Sequence, residues 1–111
     1  KGSGLSIELS YKDIPIFESA IEYAEMGFVP AGAYSNRAFV GTNVDCGETP
    51  RAIQDTLFDP QTSGGLIISV AEHDAQALLQ ELCTVLEPTV CGKPAIIGRV
   101  VQQRKTALLV R

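Results

Sequence analysis

The chain's 111 residues, 45% of them apolar, suffice for one domain that buries roughly two thirds of its surface and leave no second core. The net charge of −4 comes from 13 acidic and 9 basic residues without a Lys/Arg cluster, and Trp is absent, so neither nucleic acid nor a membrane is expected as a partner. The longest apolar run, residues 65–71, is far too short to span a bilayer.

In chain order, Leu5, Ile7, Leu9 and Tyr11 alternate as in a half-buried strand over residues 5–11. Asp13-Ile14-Pro15 reads as a helix start, Ile14, Phe17, Ile21 and Ala24 share one face, and Gly27 stops the helix. Glu18, Glu22 and Glu25 lie opposite that stripe as a solvated face. Residues 28–47 are dense in turn formers (Pro30, Gly32, Ser35, Asn36, Gly41, Asn43, Asp45, Gly47) and read as a long functional or mobile loop. Thr49-Pro50 then caps a short helix carrying Ile53 and Leu57. Residues 66–70 are continuously apolar and rich in β-branched side chains, as in a central strand buried on both faces. Ala75, Leu78, Leu79, Leu82 and Leu86 mark an amphipathic helix. Residues 94–101 and 106–110 form two more strands, joined by Gln102-Gln103-Arg104-Lys105 as an antiparallel hairpin. This order implies an α+β (layered α/β) domain: a mixed sheet of about four strands with packed helices.

The segment Asp59-Pro60-Gln61-Thr62-Ser63-Gly64-Gly65 concentrates chemistry: a carboxylate, an amide, two hydroxyls and two glycines immediately before an apolar run. Glycines admit a ligand close to the backbone, whose N–H groups converge on an anion, and Thr62 and Ser63 add hydroxyl donors. Asp59 repels an anion and is better suited to holding the loop, or to meeting a metal or a cation. By composition alone the same residues also make an ordinary turn into a strand.

Residues 57–66, Leu-Phe-Asp-Pro-Gln-Thr-Ser-Gly-Gly-Leu, resemble the signature of the C-terminal domain of the selenophosphate synthetase family. Residues 28–37 resemble the Pro/Gly-rich loop ending in Asn that precedes that signature in bacterial members, and Ile97-Gly98-Arg99-Val100 resembles a strand near their C-terminus. Residues 31–33 are Ala-Gly-Ala where some members have Gly-Gly-Thr, so no hydroxyl role carries over there. The resemblance implies a partly ferredoxin-like domain of the aminoimidazole ribonucleotide synthetase-like superfamily. It further implies a two-domain enzyme that uses ATP to phosphorylate selenide, giving selenophosphate, phosphate and AMP, with Mg2+ neutralising the phosphates. The implied partners are the enzyme's own N-terminal ATP-binding domain, a second subunit in a homodimer, and selenide. The family's selenium-handling Cys or selenocysteine, its Lys and its aspartate metal ligands have no match here. The fragment is therefore expected to contain no catalytic residue and no metal ligand, and to be inactive and cofactor-free alone. Asn36, Asp59, Gln61, Thr62, Ser63, Gly64 and Gly65 are the substrate- or phosphate-facing residues the resemblance implies.

Other residues carry weaker signals. Arg37 is either a phosphate partner, through its guanidinium fork, or a solvent-exposed side chain. His73, between Glu72 and Asp74, reads as a surface residue in an acidic first turn. Cys46, Cys83 and Cys91 are odd in number and lack CxxC spacing, which with no secretory signal reads as free thiols in the cytoplasm. Cys46 falls in the long loop as a candidate reactive thiol, and Cys83 reads as core. Because the first residue is Lys rather than Met, excision from a larger protein is expected. The same pattern also permits a small-ligand-binding regulatory module of ferredoxin-like type, or an interaction surface exposed by a lost partner domain.

Overall fold

The computed structural model describes residues 3–86 and 92–111. Four strands form one mixed sheet: β1 (Leu5–Leu9), β2 (Val44–Asp45), β3 (Gly98–Gln102) and β4 (Leu108–Val110), in the order β2-β4-β1-β3. Strand β1 takes β3 antiparallel on one side, with Leu5 opposite Gln102 and Leu9 opposite Gly98, and β4 parallel on the other. Strand β2 adds parallel to β4. Four α-helices complete an α+β fold: α1 (Glu18–Glu25), α2 (Ala31–Val40), α3 (Arg51–Leu57) and α4 (Glu72–Val85).

The expected hairpin between the last two strands does not form, because β3 and β4 flank β1 instead of pairing with each other. Ser6 explains how the chain passes β1. Its hydroxyl donates to the Thr106 carbonyl at 2.8 Å and accepts the Arg104 N–H at 2.8 Å, so it satisfies the connection's backbone groups from beneath. Ser6 is consequently the most buried of the strand's residues, at 1% exposure, whereas Leu5 and Ile7 of the alternating apolar face stay partly open.

Helix α1 begins at Glu18, not near Asp13. Residues 10–13 are committed elsewhere: the Ser10 N–H donates to Ile97 O, the Tyr11 N–H to Arg111 O, and the Asp13 N–H closes a turn on Ser10 O. The stop at Gly27 is as expected. With φ at +87°, Gly27 lets its own N–H reach Ala24 O and the Phe28 N–H reach Tyr23 O, the paired bonds of a Schellman ending. The Tyr23 and Phe28 rings meet edge-on at 6.2 Å, closing that ending with an apolar contact.

The long loop expected over residues 28–47 is a correction: it holds α2, a short 3-10 turn at Gly41–Asn43 and β2. The turn formers there punctuate the segment without dissolving it. Pro30 stands just before α2 and Gly41 follows its last residue; with Gly32, Ser35 and Asn36 inside it, the helix owes more to packing through buried Ala33 than to propensity. Ala33 of α2 is 2% exposed and joins Leu109 and Val110 as buried apolar residues. Helix α3 forms as expected, but Thr49 does not cap it: the N-cap is Pro50, with no side-chain bond to the helix.

The central strand expected at residues 66–70 is also absent, and Leu66 stands 92% exposed. Both hydrogen-bonding edges of β1 are already taken by β3 and β4, which closes the central position to a further strand. The run instead lines a cleft of about 260 Å³ with Ile7 and Leu9 of β1, Val100 of β3, and Leu78 and Leu82 of α4.

Candidate functional site

The end of α3 delivers the chain to the Asp59 segment through a run of turn bonds. The Phe58 N–H donates to Gln54 O, the Asp59 N–H to Thr56 O, and the Gln61 N–H to Asp59 O. Asn36 reaches this base, not the tip: its Nδ2 donates to the Phe58 carbonyl at 2.9 Å. Asp59 is half-buried, and every residue from Pro60 to Gly65 is exposed.

Among the described residues, Thr62, Ser63, Gly64 and Gly65 donate no backbone or side-chain hydrogen bond to the rest of the chain. Four consecutive N–H groups and two hydroxyls thus face solvent. Neither glycine has the positive φ that would by itself demand glycine. At Gly64 the Gln61 amide folds back over the glycine, with Oε1 2.7 Å from where a Cβ would stand, but this exposed side chain can swing aside, so the position does not strictly demand glycine. At Gly65 a Cβ would meet nothing within 4 Å, leaving that backbone open to an approaching group.

No family model matches the chain. A curated protein named selenide, water dikinase from Treponema denticola is 59% identical over 110 residues, covering 99% of this chain. The chain belongs to the selenide, water dikinase (selenophosphate synthetase) family. It corresponds to the C-terminal part of these proteins and spans only 31% of that relative's length. A selenide, water dikinase 2 from Peptoclostridium acidaminophilum is 44% identical over 99% of the chain and 30% of its own length. A selenide, water dikinase from Pelobacter propionicus is 40% identical over 97% of the chain and 30% of its own length.

Around the loop's base, Arg51 and Asp55 are residues that the sequence signals had left aside, and they join Arg37 there. Arg37 is engaged: it donates to Asp55 Oδ1 at 2.8 Å, and its guanidinium carbon lies 5.0 Å from the Phe58 ring centre. Asp55, 7% exposed, also accepts Arg51 Nε at 2.9 Å, so two guanidinium groups compensate its buried charge. The i,i+4 spacing of Arg51 and Asp55 was a legible signal. Gly32 completes the group, because a Cβ there would stand 2.7 Å from Pro60 Cγ.

The remaining candidates stay apart from the loop. His73 is exposed, with Nε2 3.3 Å from Asp74 Oδ2, as a surface residue in an acidic turn. Cys83 is exposed rather than core, a correction: it stands at the edge of the Leu stripe of α4, whose own Leu78, Leu79 and Leu82 are only half-buried. Cys46 is half-buried, and burial pushes its thiol pKa up, with the nearby Arg37 guanidinium opposing, so activation of this thiol is not supported. Cys91 lies outside the described residues. Among the described residues, no group of three or more His, Cys, Asp or Glu is placed to hold a metal ion, and no helix is long and apolar enough to cross a membrane.

Proposed function

We propose that the chain is the C-terminal domain of a two-domain selenide, water dikinase, and that Gln61, Thr62, Ser63, Gly64 and Gly65 form one wall of its reaction site. There ATP phosphorylates selenide to selenophosphate, with AMP and phosphate as the other products. The observation that carries this reading is the row of exposed, uncommitted donors from Thr62 to Gly65.

Phosphoryl transfer spreads negative charge over phosphate oxygens, and catalysis comes largely from donors positioned where that charge develops. Backbone N–H groups and the two hydroxyls suit this role without a charged side chain. Asp59, half-buried at the base, orders the turn through its carbonyl, which accepts the Gln61 N–H at 2.9 Å. Mg2+ would neutralise the phosphates when bound, but the described residues offer no cluster fit to hold it, so its ligands belong to the N-terminal domain in this reading. That domain, a second subunit in a homodimer and a cytoplasmic setting complete the proposal.

The test is selenide-dependent AMP formation by the full-length protein carrying this chain. Thr62→Ala with Ser63→Ala is expected to lower turnover about 100-fold, the scale of losing a positioned donor, while the isolated chain hydrolyses no ATP. Unchanged turnover in the double variant would remove the loop from the site.

One observation favours a second reading as a small-ligand module. A polar cavity of about 590 Å³ is lined by Thr42, Asp45, Cys46, Gln54, Lys105 and Thr106. Calorimetric binding of a small metabolite to the isolated chain, abolished by Lys105→Ala and untouched by Thr62→Ala, would support it.

A further inference from the structure

We infer that α2 is the positioning element of the Thr62–Gly65 donor loop, with Gly32, Asn36, Arg37 and Asp55 as positioning residues; this rests on the proposed role of the loop. Gly32 and Asn36 stand at i and i+4, one turn apart on the same face of α2. Asn36 holds the Phe58 carbonyl at 2.9 Å. Gly32 admits the Pro60 ring so closely that an added Cβ would fall 2.7 Å from Cγ and 3.0 Å from Cβ of the proline. Arg37, the next residue after Asn36, lies over the Phe58 ring at 5.0 Å. Asp55 in turn fixes Arg37 with a 2.8 Å charge-assisted bond between α2 and α3.

One helix therefore grips the carbonyl and ring of Phe58 and the ring of Pro60, two residues of the short stretch that leads to the donors. A proline ring is stiff, so the Gly32 contact is relieved only if the chain at Pro60 moves. Beyond Pro60 the grip ends, since Thr62 to Gly65 donate no hydrogen bond to the rest of the chain. The loop accordingly has a fixed base at Pro60, and α2 sets where its donors stand. None of these four residues needs to touch substrate to govern the rate, because a displacement of about 1 Å at a reacting centre costs on the order of 100-fold.

The experiment uses the full-length protein and measures kcat, KM for ATP and the melting temperature of four variants. Gly32→Ala is expected to lower kcat about 100-fold with KM unchanged, because the donors act on charge that develops in the transition state. Adding Pro60→Ala to Gly32→Ala removes Cγ, the atom of the 2.7 Å overlap, and leaves only the 3.0 Å approach to Cβ; it is expected to restore at least about 10-fold of that loss, a recovery that a general folding defect would not show. Arg37→Lys keeps the charge but loses the fork and the ring contact, so it shows the same split between kcat and KM and serves if Gly32→Ala does not fold. Thr62→Ala with Ser63→Ala separates the two levels of the argument. If that variant is slow while Gly32→Ala and Arg37→Lys keep normal kcat, the positioning role is overturned and the loop keeps its own. If the Thr62/Ser63 variant is itself normal, both fall. Failure of Pro60→Ala to recover activity in a folded Gly32→Ala background also overturns the inference.

Discussion

Thr49 and Cys46 lie within four residues of each other and show what burial does to small polar side chains. Among the described residues, Thr49 Oγ1 is buried without a hydrogen-bond partner, although the residue stands where a helix cap was expected. Thr49→Val is therefore expected to stabilise the protein by about 1 kcal/mol, because it removes a buried, unpaired hydroxyl. A capping Thr would give a loss of similar size, so the sign of the change in urea unfolding decides between the two roles. Burial raises the Cys46 pKa, so at a given pH its thiolate is scarcer than that of an ordinary thiol. At pH 8, iodoacetamide is expected to label exposed Cys83 before Cys46, as read by peptide mass spectrometry; the reverse order would contradict the assigned burial. At this scale the sequence located the donors of the 59–65 loop, since residue type alone states donor and acceptor capacity. It could not show that Asn36 and Arg37 serve the loop's base, because that depends on how α2 lies against α3.

Among the elements, helices with a clear apolar stripe or a glycine stop were legible: α4 spans Glu72–Val85 and α1 ends before Gly27. Strand existence was legible for β1, β3 and β4, but strand partnership was not. Alternation and hydrophobicity report which face is buried and carry no information on which neighbour supplies the hydrogen bonds. The hairpin failed for this reason, and so did the strand at residues 66–70. Gly98 fixes the pairing that does occur: a Cβ at this position would overlap the Glu8 carbonyl oxygen across β1 and β3. Gly98→Ala is expected to destabilise the chain by roughly 1–3 kcal/mol, as overpacking against backbone does, measured by urea unfolding. At the other edge, Asp45 joins β2 to the end of β4, with its carboxylate 2.6 Å from Arg111 Nη2. This bond, then the Gly47 N–H, holds the Asp45 pKa below the ordinary carboxylate value. A depressed folded pKa stabilises above the unfolded value of about 4 and loses that contribution as pH falls through the folded value. The stability difference between the natural chain and Asp45→Asn is therefore expected at pH 7 and should vanish in acid; a difference that persists at pH 2 would contradict the assignment.

For the molecule as a whole, the radius of gyration is 14.8 Å, against about 13 Å for a compact domain of this length. Leu66 and Phe39 stand 92% and 90% exposed, and the cleft between α4 and the sheet remains open. Apolar surface of this kind is the usual mark of a face that another body covers. The chain also spans only about 31% of the length of its Treponema denticola relative. In isolation it is expected to sediment with concentration-dependent mass, and a single monomeric species at all concentrations would contradict that. Length and composition made the size of the fold legible, but a shared site is not written in one part of it. The central claim is that the Thr62–Gly65 donors meet phosphate, and amide hydrogen exchange in the full-length protein tests it most directly. With a non-hydrolysable ATP analogue and Mg2+, exchange at residues 62–65 is predicted to slow, whereas slowing confined to other segments, with these four amides unchanged, would contradict the account.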